Sequence, residues 1–276
     1  MITICIVGAF IKMETSYKQL LKNAVALPQL WAVIIPMQFF GLYAIYNILI
    51  GNAPNWWIAT LLGYICFKMI GIAAGYHRLF CHRGFTVNKI VKRIILYFGM
   101  LGGQGSPIIW VAIHRGYHHR YADTDKDLHS PRDGIWHSYI GWMFKCPTLN
   151  IRSAIDLTSD PDMVWAHKYY VPTIYITHIV AALISIDLWL YLFMLPMFIT
   201  LHCFLMQTCF THISALGYRN YNVNNTSINA PILFPFILGE AWHNNHHGDG
   251  RNPNYSRRWW ELDPTFWIIQ IIRNDR

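Results

Sequence analysis

Residues 54–82, PNWWIATLLGYICFKMIGIAAGYHRLFCH, pass from an apolar stretch straight into a histidine pair. At about 1.5 Å per residue, Pro54 to Gly75 covers a hydrocarbon core of roughly 30 Å. Its single formal charge, Lys68, is expected to snorkel to a polar surface. No proline lies between Pro54 and His82, so the helix can run out of the membrane and carry His77 and His82 above it. Five residues correspond to about 500°, which leaves these imidazoles roughly 140° apart on an ideal helix. They would flank a metal rather than share one face.

Three further apolar runs lie on either side of this stretch: Pro28 to Ile50, Tyr169 to Ile186 and Leu188 to His212. With 54% hydrophobic and 13% charged residues, the composition leans toward a membrane protein. The reading is an all-α membrane protein of one domain, with four spans (28–50, 54–75, 169–186, 188–212) in two hairpins and a helical cap from 76–168 and 213–276. Of the 22 Lys and Arg residues, three precede the first span, twelve lie between the second and third, and six follow the fourth; the turns at Gly51–Ala53 and Asp187 have none. Positively charged short loops stay cytoplasmic. Both termini and the cap are therefore expected in the cytoplasm. The net charge of +8 reads as topology and attraction to membrane lipid, not as nucleic-acid binding. Met1 to Ile11 is apolar but short, fits a signal peptide badly, and reads as an interfacial segment. The six cysteines include no C-x-x-C pair, and no disulfide framework is expected.

Eight of the 14 histidines fall into three clusters: His77/His82, His114/His118/His119 and His243/His246/His247. Neutral imidazole suits borderline transition metals, and eight such groups exceed what one tetrahedral ion takes. A site for two metals follows. His114 and His118 are i, i+4, while His243, His246 and His247 are i, i+3, i+4, a three-pronged face of one helical turn. His212, where the fourth span ends, is a ninth candidate. His178 and His202, at similar depths on antiparallel spans, are expected to bond one another. His129, His137 and His167 lie outside the clusters and read as surface or headgroup positions. Glu240, three residues before His243, and Asp123, Asp125 and Asp127 are placed to orient ligating rings.

Three stretches carry a resemblance: HRLFCH (77–82), HRGYHHRYADTDKDLHSPRDGIWHSYIGW (114–142) and GEAWHNNHHGDGRNPNYSRRWWELDPTFW (239–267). They resemble the histidine boxes and flanks of the membrane fatty-acyl desaturases, of the delta-9, stearoyl-CoA desaturase-like group, with a third box of bacterial, cyanobacterial and plant type. The resemblance implies a four-helix membrane fold with a cytosolic cap. It also implies two iron ions (Fe2+/Fe3+) held mainly by histidines, with O2 as co-substrate, and a cis double bond inserted into a long acyl chain. The eight box histidines carry over directly. Two departures stand out. The family's second box is usually HxxHH, and the additional residue here turns His114 by about 100° unless the helix bulges. The family also places a histidine at the end of the fourth span, matched by His212, with an asparagine four residues earlier that reaches a metal through water; Thr208 stands at that position here.

An unactivated methylene has no acidic proton, so a metal-bound oxidant must remove its hydrogen. Phe, Leu, Ile and Trp of the second and fourth spans are the expected lining of an acyl tunnel. Neither a haem-binding HPGG nor a dinucleotide G-x-G-x-x-G occurs, and Gly99–Gly105 reads as a close-packed segment under the second box. Electrons are therefore expected from a separate ferredoxin or cytochrome b5, steered to a basic surface on which Arg219, Arg251, Arg257 and Arg258 are candidates. The acyl group could arrive on CoA, a glycerolipid or a carrier protein. The competing readings are a diiron lipid hydroxylase and a non-catalytic histidine-rich metal carrier.

Overall fold

The computed structural model describes residues 27–145 and 151–275, which are helical apart from loops and two isolated β-bridges. The interfacial reading of Met1 to Ile11 falls outside these residues. Helix α1, Leu27–Leu49, turns at Gly51 (φ 78°) into α2, Trp56–Cys81. An amphipathic α3, Lys89–Leu101, leads through a glycine-rich turn to α4, Pro107–Ile113. Then come α5, Pro161–Lys168, α6, Tyr170–Ile184, and α7, Ile186–Phe210. Short α8, His243–Gly248, and α9, Pro264–Ile272, close the described chain.

Three helices, α1, α2 and α7, are long and apolar enough to cross a membrane. Their outward faces expose Phe39, Leu49, Trp57 and Leu61, side chains that water would disfavour and lipid would not. Helix α6 is equally apolar but has 15 residues, about 22 Å of rise. The turn between α6 and α7 falls at Ser185, whose hydroxyl accepts from the Leu188 N–H, rather than at Asp187. Asp187 lies in the first turn of α7, where the helix dipole favours an acid.

Among the described residues three segments are π-wound, and two of them carry histidines; the third, Trp189–Met194 of α7, carries none. The two are Ile65–Cys81 of α2 and His114–His119, which continues α4. Helices α2 and α3 also touch backbone to backbone: a Cβ on Gly71 would stand 2.5 Å from Gly99 N, and one on Gly99 would stand 2.2 Å from the Tyr76 ring. Gly99–Gly105 is thus a close-packed segment leading to the second box.

Lys68 does not reach a surface. It is 2% exposed and turned inward beside the histidines, because the polar environment nearest its stem is the metal-ligand cluster. Nor do His178 and His202 bond one another. His178 Nδ1 accepts from Trp189 Nε1 at 3.1 Å, while His202 lies 2.7 Å from the Tyr139 hydroxyl and 3.1 Å from Gln38 Oε1. Each ring found a partner on a neighbouring element. Cys66, Cys81, Cys203 and Cys209 are free thiols.

Candidate metal centre

The end of α2, the π-turn after α4, the end of α7 and the start of α8 converge on nine imidazoles. Ring nitrogens of His77, His82, His114, His119 and His246 lie within 4.8 Å of one another, and those of His118, His212, His243 and His247 form a second such group. Within the first group the Nε2 atoms of His77 and His246 are 3.0 Å apart, and those of His82 and His114 are 3.2 Å apart. Within the second, His243 Nε2 lies 3.3 Å from His212 Nε2 and 3.0 Å from His247 Nε2. Two nitrogens each about 2.1 Å from a shared ion at roughly tetrahedral or octahedral angles stand about 3.0–3.4 Å apart. The spacing therefore suits a common cation in each group.

Local winding explains this convergence. In the first box the His82 N–H donates to the His77 carbonyl at 3.0 Å, a five-residue ring that brings the two side chains to one side of the helix. Their ring centroids are 5.0 Å apart. The two imidazoles thus share a face, contrary to the arrangement expected from an ideal α-helix. In the second box the π-turn absorbs the additional residue, so His114 stays in the first group and His118 enters the second.

Donor chemistry agrees with the geometry. Burial, reinforced by neighbouring imidazoles, holds His82, His114, His119, His243, His246 and His247 well below the usual imidazole range. Burial lowers His212 as well, although Asp123 opposes it. Neutral rings keep a lone pair for a metal. Buried His118 Nε2 and His246 Nδ1 have no hydrogen-bond partner among the described residues. For His118 the opposite nitrogen is occupied by Asp127, which leaves Nε2 to the second group.

Carboxylates back three of the rings. Glu240 Oε2 lies 2.7 Å from His77 Nδ1, Asp127 Oδ2 3.2 Å from His118 Nδ1, and Asp123 Oδ1 3.1 Å from His212 Nδ1. Burial alone would raise the Asp123 carboxyl, but His212 and the Thr226 N–H outweigh it and leave it at about 2. Asp127 is likewise held low by His129 and His118 against its burial. Asp125 is exposed and takes no part. The Thr208 hydroxyl donates to the Leu205 carbonyl at 3.2 Å and borders a cavity shared with His118 and His243.

The residues match a known family model. The model described as fatty acid desaturase covers residues 52–271. The chain belongs to the fatty acid desaturase family. This desaturase is 31% identical to Delta-9 acyl-lipid desaturase 1 of Arabidopsis thaliana over 85% of its own length and 78% of that protein. It is 32% identical to the sn-1 stearoyl-lipid 9-desaturase of Anabaena variabilis, over 78% of this chain and 79% of that one. The sn-2 palmitoyl-lipid 9-desaturase of Nostoc sp. (strain 36) is also 32% identical, over 89% and 88%. The desaturase is accordingly a fatty-acyl-desaturating oxidoreductase.

The part that Arg78 and His129 play in the desaturase site was not visible to sequence reasoning. Arg78, inside the first box, is 1% exposed and bonds Glu240 at 2.7 Å and Asp263 at 2.6 Å while lying over the Tyr255 ring. His129 is buried with its ring 4.6 Å from that of His118 and its Nδ1 3.5 Å from Asp127, not at a surface. Its position two residues after Asp127 was the available signal. His167 and His137 are also tied inside, to the Ser106 hydroxyl and the Leu128 carbonyl. Asn244 and Asn245 are fully buried and brace the third box. Asn244 Oδ1 accepts from the N–H groups of Asn220 and Tyr221, and Asn245 Nδ2 donates to Glu261. Arg219, Arg257 and Arg258 spend their donors on Val223, Asn254 and Asn220 nearby.

Proposed function

We propose that the two histidine groups hold two irons, five imidazoles on one and four on the other, and that the enzyme inserts a cis double bond at the delta-9 position of a lipid-linked acyl chain. The single observation that carries this is the division of nine imidazoles into two adjacent groups, each with metal-like spacing. The delta-9 position and the lipid-linked substrate rest on the activities that the three relatives are named for. The proposed roles are His77, His82, His114, His119 and His246 for the first iron and His118, His212, His243 and His247 for the second. Thr208 stands on the open side of the second, where it can hold a water.

Bound iron supplies the oxygen activation that no side chain provides. The protein's own part is to orient and to exclude. Glu240 and Asp127 accept from Nδ1 of His77 and His118, and the Thr226 hydroxyl meets His212 Nδ1 at 3.2 Å with the Asp123 carboxylate 3.1 Å away, so that each ring presents Nε2 inward. Trp110, Ile72 and Phe204 wall the cavity beneath the imidazoles and keep bulk water out. In this reading α6 completes a second membrane hairpin with α7, and the histidines face the cytoplasm, where an acidic ferredoxin or cytochrome b5 delivers electrons.

Expression in a desaturase-deficient host with a competent electron donor, followed by double-bond analysis of intact lipids, tests the reading. About two irons per chain and new delta-9 unsaturation are expected. Exchangeable zinc with no acyl product would indicate a metal carrier instead.

A further inference from the structure

Lys68 lies two helical turns before His77 on α2, buried in a segment apolar enough to span a membrane. An ionisable side chain in that setting is costly unless something accepts its hydrogen bonds. Among the described residues it has neither a hydrogen bond nor an ion pair. The carboxylate on the same cavity wall, Glu240, has no capacity left. Its Oε1 accepts from Arg78 Nε at 3.3 Å and Nη2 at 2.7 Å, and its Oε2 faces His77 Nδ1 at 2.7 Å and Gln207 Nε2 at 3.3 Å. Four donors fill the roughly four lone-pair sites of a carboxylate. The three N–H donors of Lys68 remain for whatever enters the space in front of them.

That space is a small, largely enclosed cavity of about 10 Å³, close to what one water centre requires. Its walls include His77 and His114 of the first group and His118 and His243 of the second. An occupant would touch the inner faces of both groups and the Lys68 amine together. A methylene chain satisfies none of these donors, whereas a small oxygen or nitrogen anion satisfies them and is drawn by the metals' positive charge.

Resting on the reading that both groups hold metal, we propose that Lys68 is the charged donor of a small-anion site between them: it binds water or hydroxide at rest and reduced oxygen during turnover. In the overall balance, O2, two carrier electrons, two protons and one CH2–CH2 unit give CH=CH and two waters. Lys68 holds the oxygen that leaves as water and keeps it from escaping as peroxide.

Azide, a small anion, serves as the probe. The iron-loaded full-length protein is titrated with azide and followed by its charge-transfer absorbance, comparing wild type with Lys68→Met and Lys68→Arg. Lys68→Met is expected to keep its iron, bind azide at least tenfold more weakly and release more peroxide per double bond; Lys68→Arg restores most of the azide affinity. Unchanged azide affinity in Lys68→Met overturns the proposal. If Lys68→Met and Lys68→Gln both lose iron while Lys68→Arg retains it, the residue is a structural counter-charge and the proposal is equally overturned. A wild type that makes no double bond, yet binds azide in a Lys68-dependent way, would sink the desaturase reading and leave this site standing.

Discussion

The His82 backbone N–H donates to the His77 carbonyl at 3.0 Å, and this one five-residue ring sets both imidazoles on the same ion-sized gap. An α-wound turn would splay them by roughly 140°. The second box uses the same device, with π-winding over His114–His119. Such bulges are uncommon and cluster at functional sites. Here the winding decides which metal group each ring can join.

The second box should therefore tolerate losing a residue better than gaining one. Deleting Gly116 gives HRYHH, which an α-turn can keep in register, and metal analysis should still find close to two irons per chain. Inserting an alanine after Gly116 leaves two surplus residues in the turn. Iron content should fall to one or fewer, because His114 leaves the first group.

Glu240→Gln should weaken metal binding by about 10–100-fold, the usual consequence of removing a group that orients a ligating imidazole. It also removes one of the two carboxylates that face Arg78, whose guanidinium is 1% exposed. Leaving a buried charge partly unpaired costs about 3–5 kcal/mol. Equilibrium dialysis and thermal unfolding should thus register separate losses, and Glu240→Asp should recover stability better than metal affinity, since the shorter carboxylate falls short of His77 Nδ1.

The apo-protein should lose stability on acidification through His129. Burial, only partly opposed by Asp127, lowers its imidazole to about 4 from an ordinary value near 6.5. The unfolded chain then binds this proton first as pH falls, so the His129 share of stability is lost across the window from about 6.5 to 4, on top of like-signed losses from the other buried imidazoles. Melting temperatures of the metal-free protein in that window should fall steeply for wild type and less steeply for His129→Gln. Equal slopes would show that His129 does not carry the effect.

Much of this was legible in the chain because side-chain type and spacing carry it. Long apolar runs pointed to α1, α2 and α7, and the nine histidines that converge are the nine that spacing and resemblance singled out. What escaped depends on winding and on burial. The 140° splay of His77 and His82 assumed an α-helix, and nothing in HRLFCH announces a π-turn. Lys68 was assigned to a surface because snorkelling is the common fate of a lysine in an apolar helix; the polar centre it reaches is built from residues up to 175 positions away, such as His243. His129 and Arg78 were hidden for the same reason, since their partners Asp127 and Asp263 matter only once the loop and α9 have packed.

Labelling separates a four-crossing topology from a two-crossing one, since the shared histidine centre requires an even number of crossings between His119 and His212. In the four-crossing reading the α1–α2 turn at Asn52 and the α6–α7 turn at Ser185 lie on one side, and the C-terminal Arg273 lies on the other with the histidines. The 15 residues of α6 reach this only with help, since a short helix thins the bilayer around it or lets flanking residues reach the interface. Single cysteines placed at 52, 185 and 273 in a background lacking native thiols should label from opposite sides with a membrane-impermeant maleimide: 52 and 185 together, 273 from the cytoplasm. If position 185 labels with 273 instead, neither α6 nor α7 carries the chain across, the second hairpin is lost and the chain crosses twice. Iron content measured on the same variants tells whether the altered thiol background, rather than the topology, has disturbed the fold.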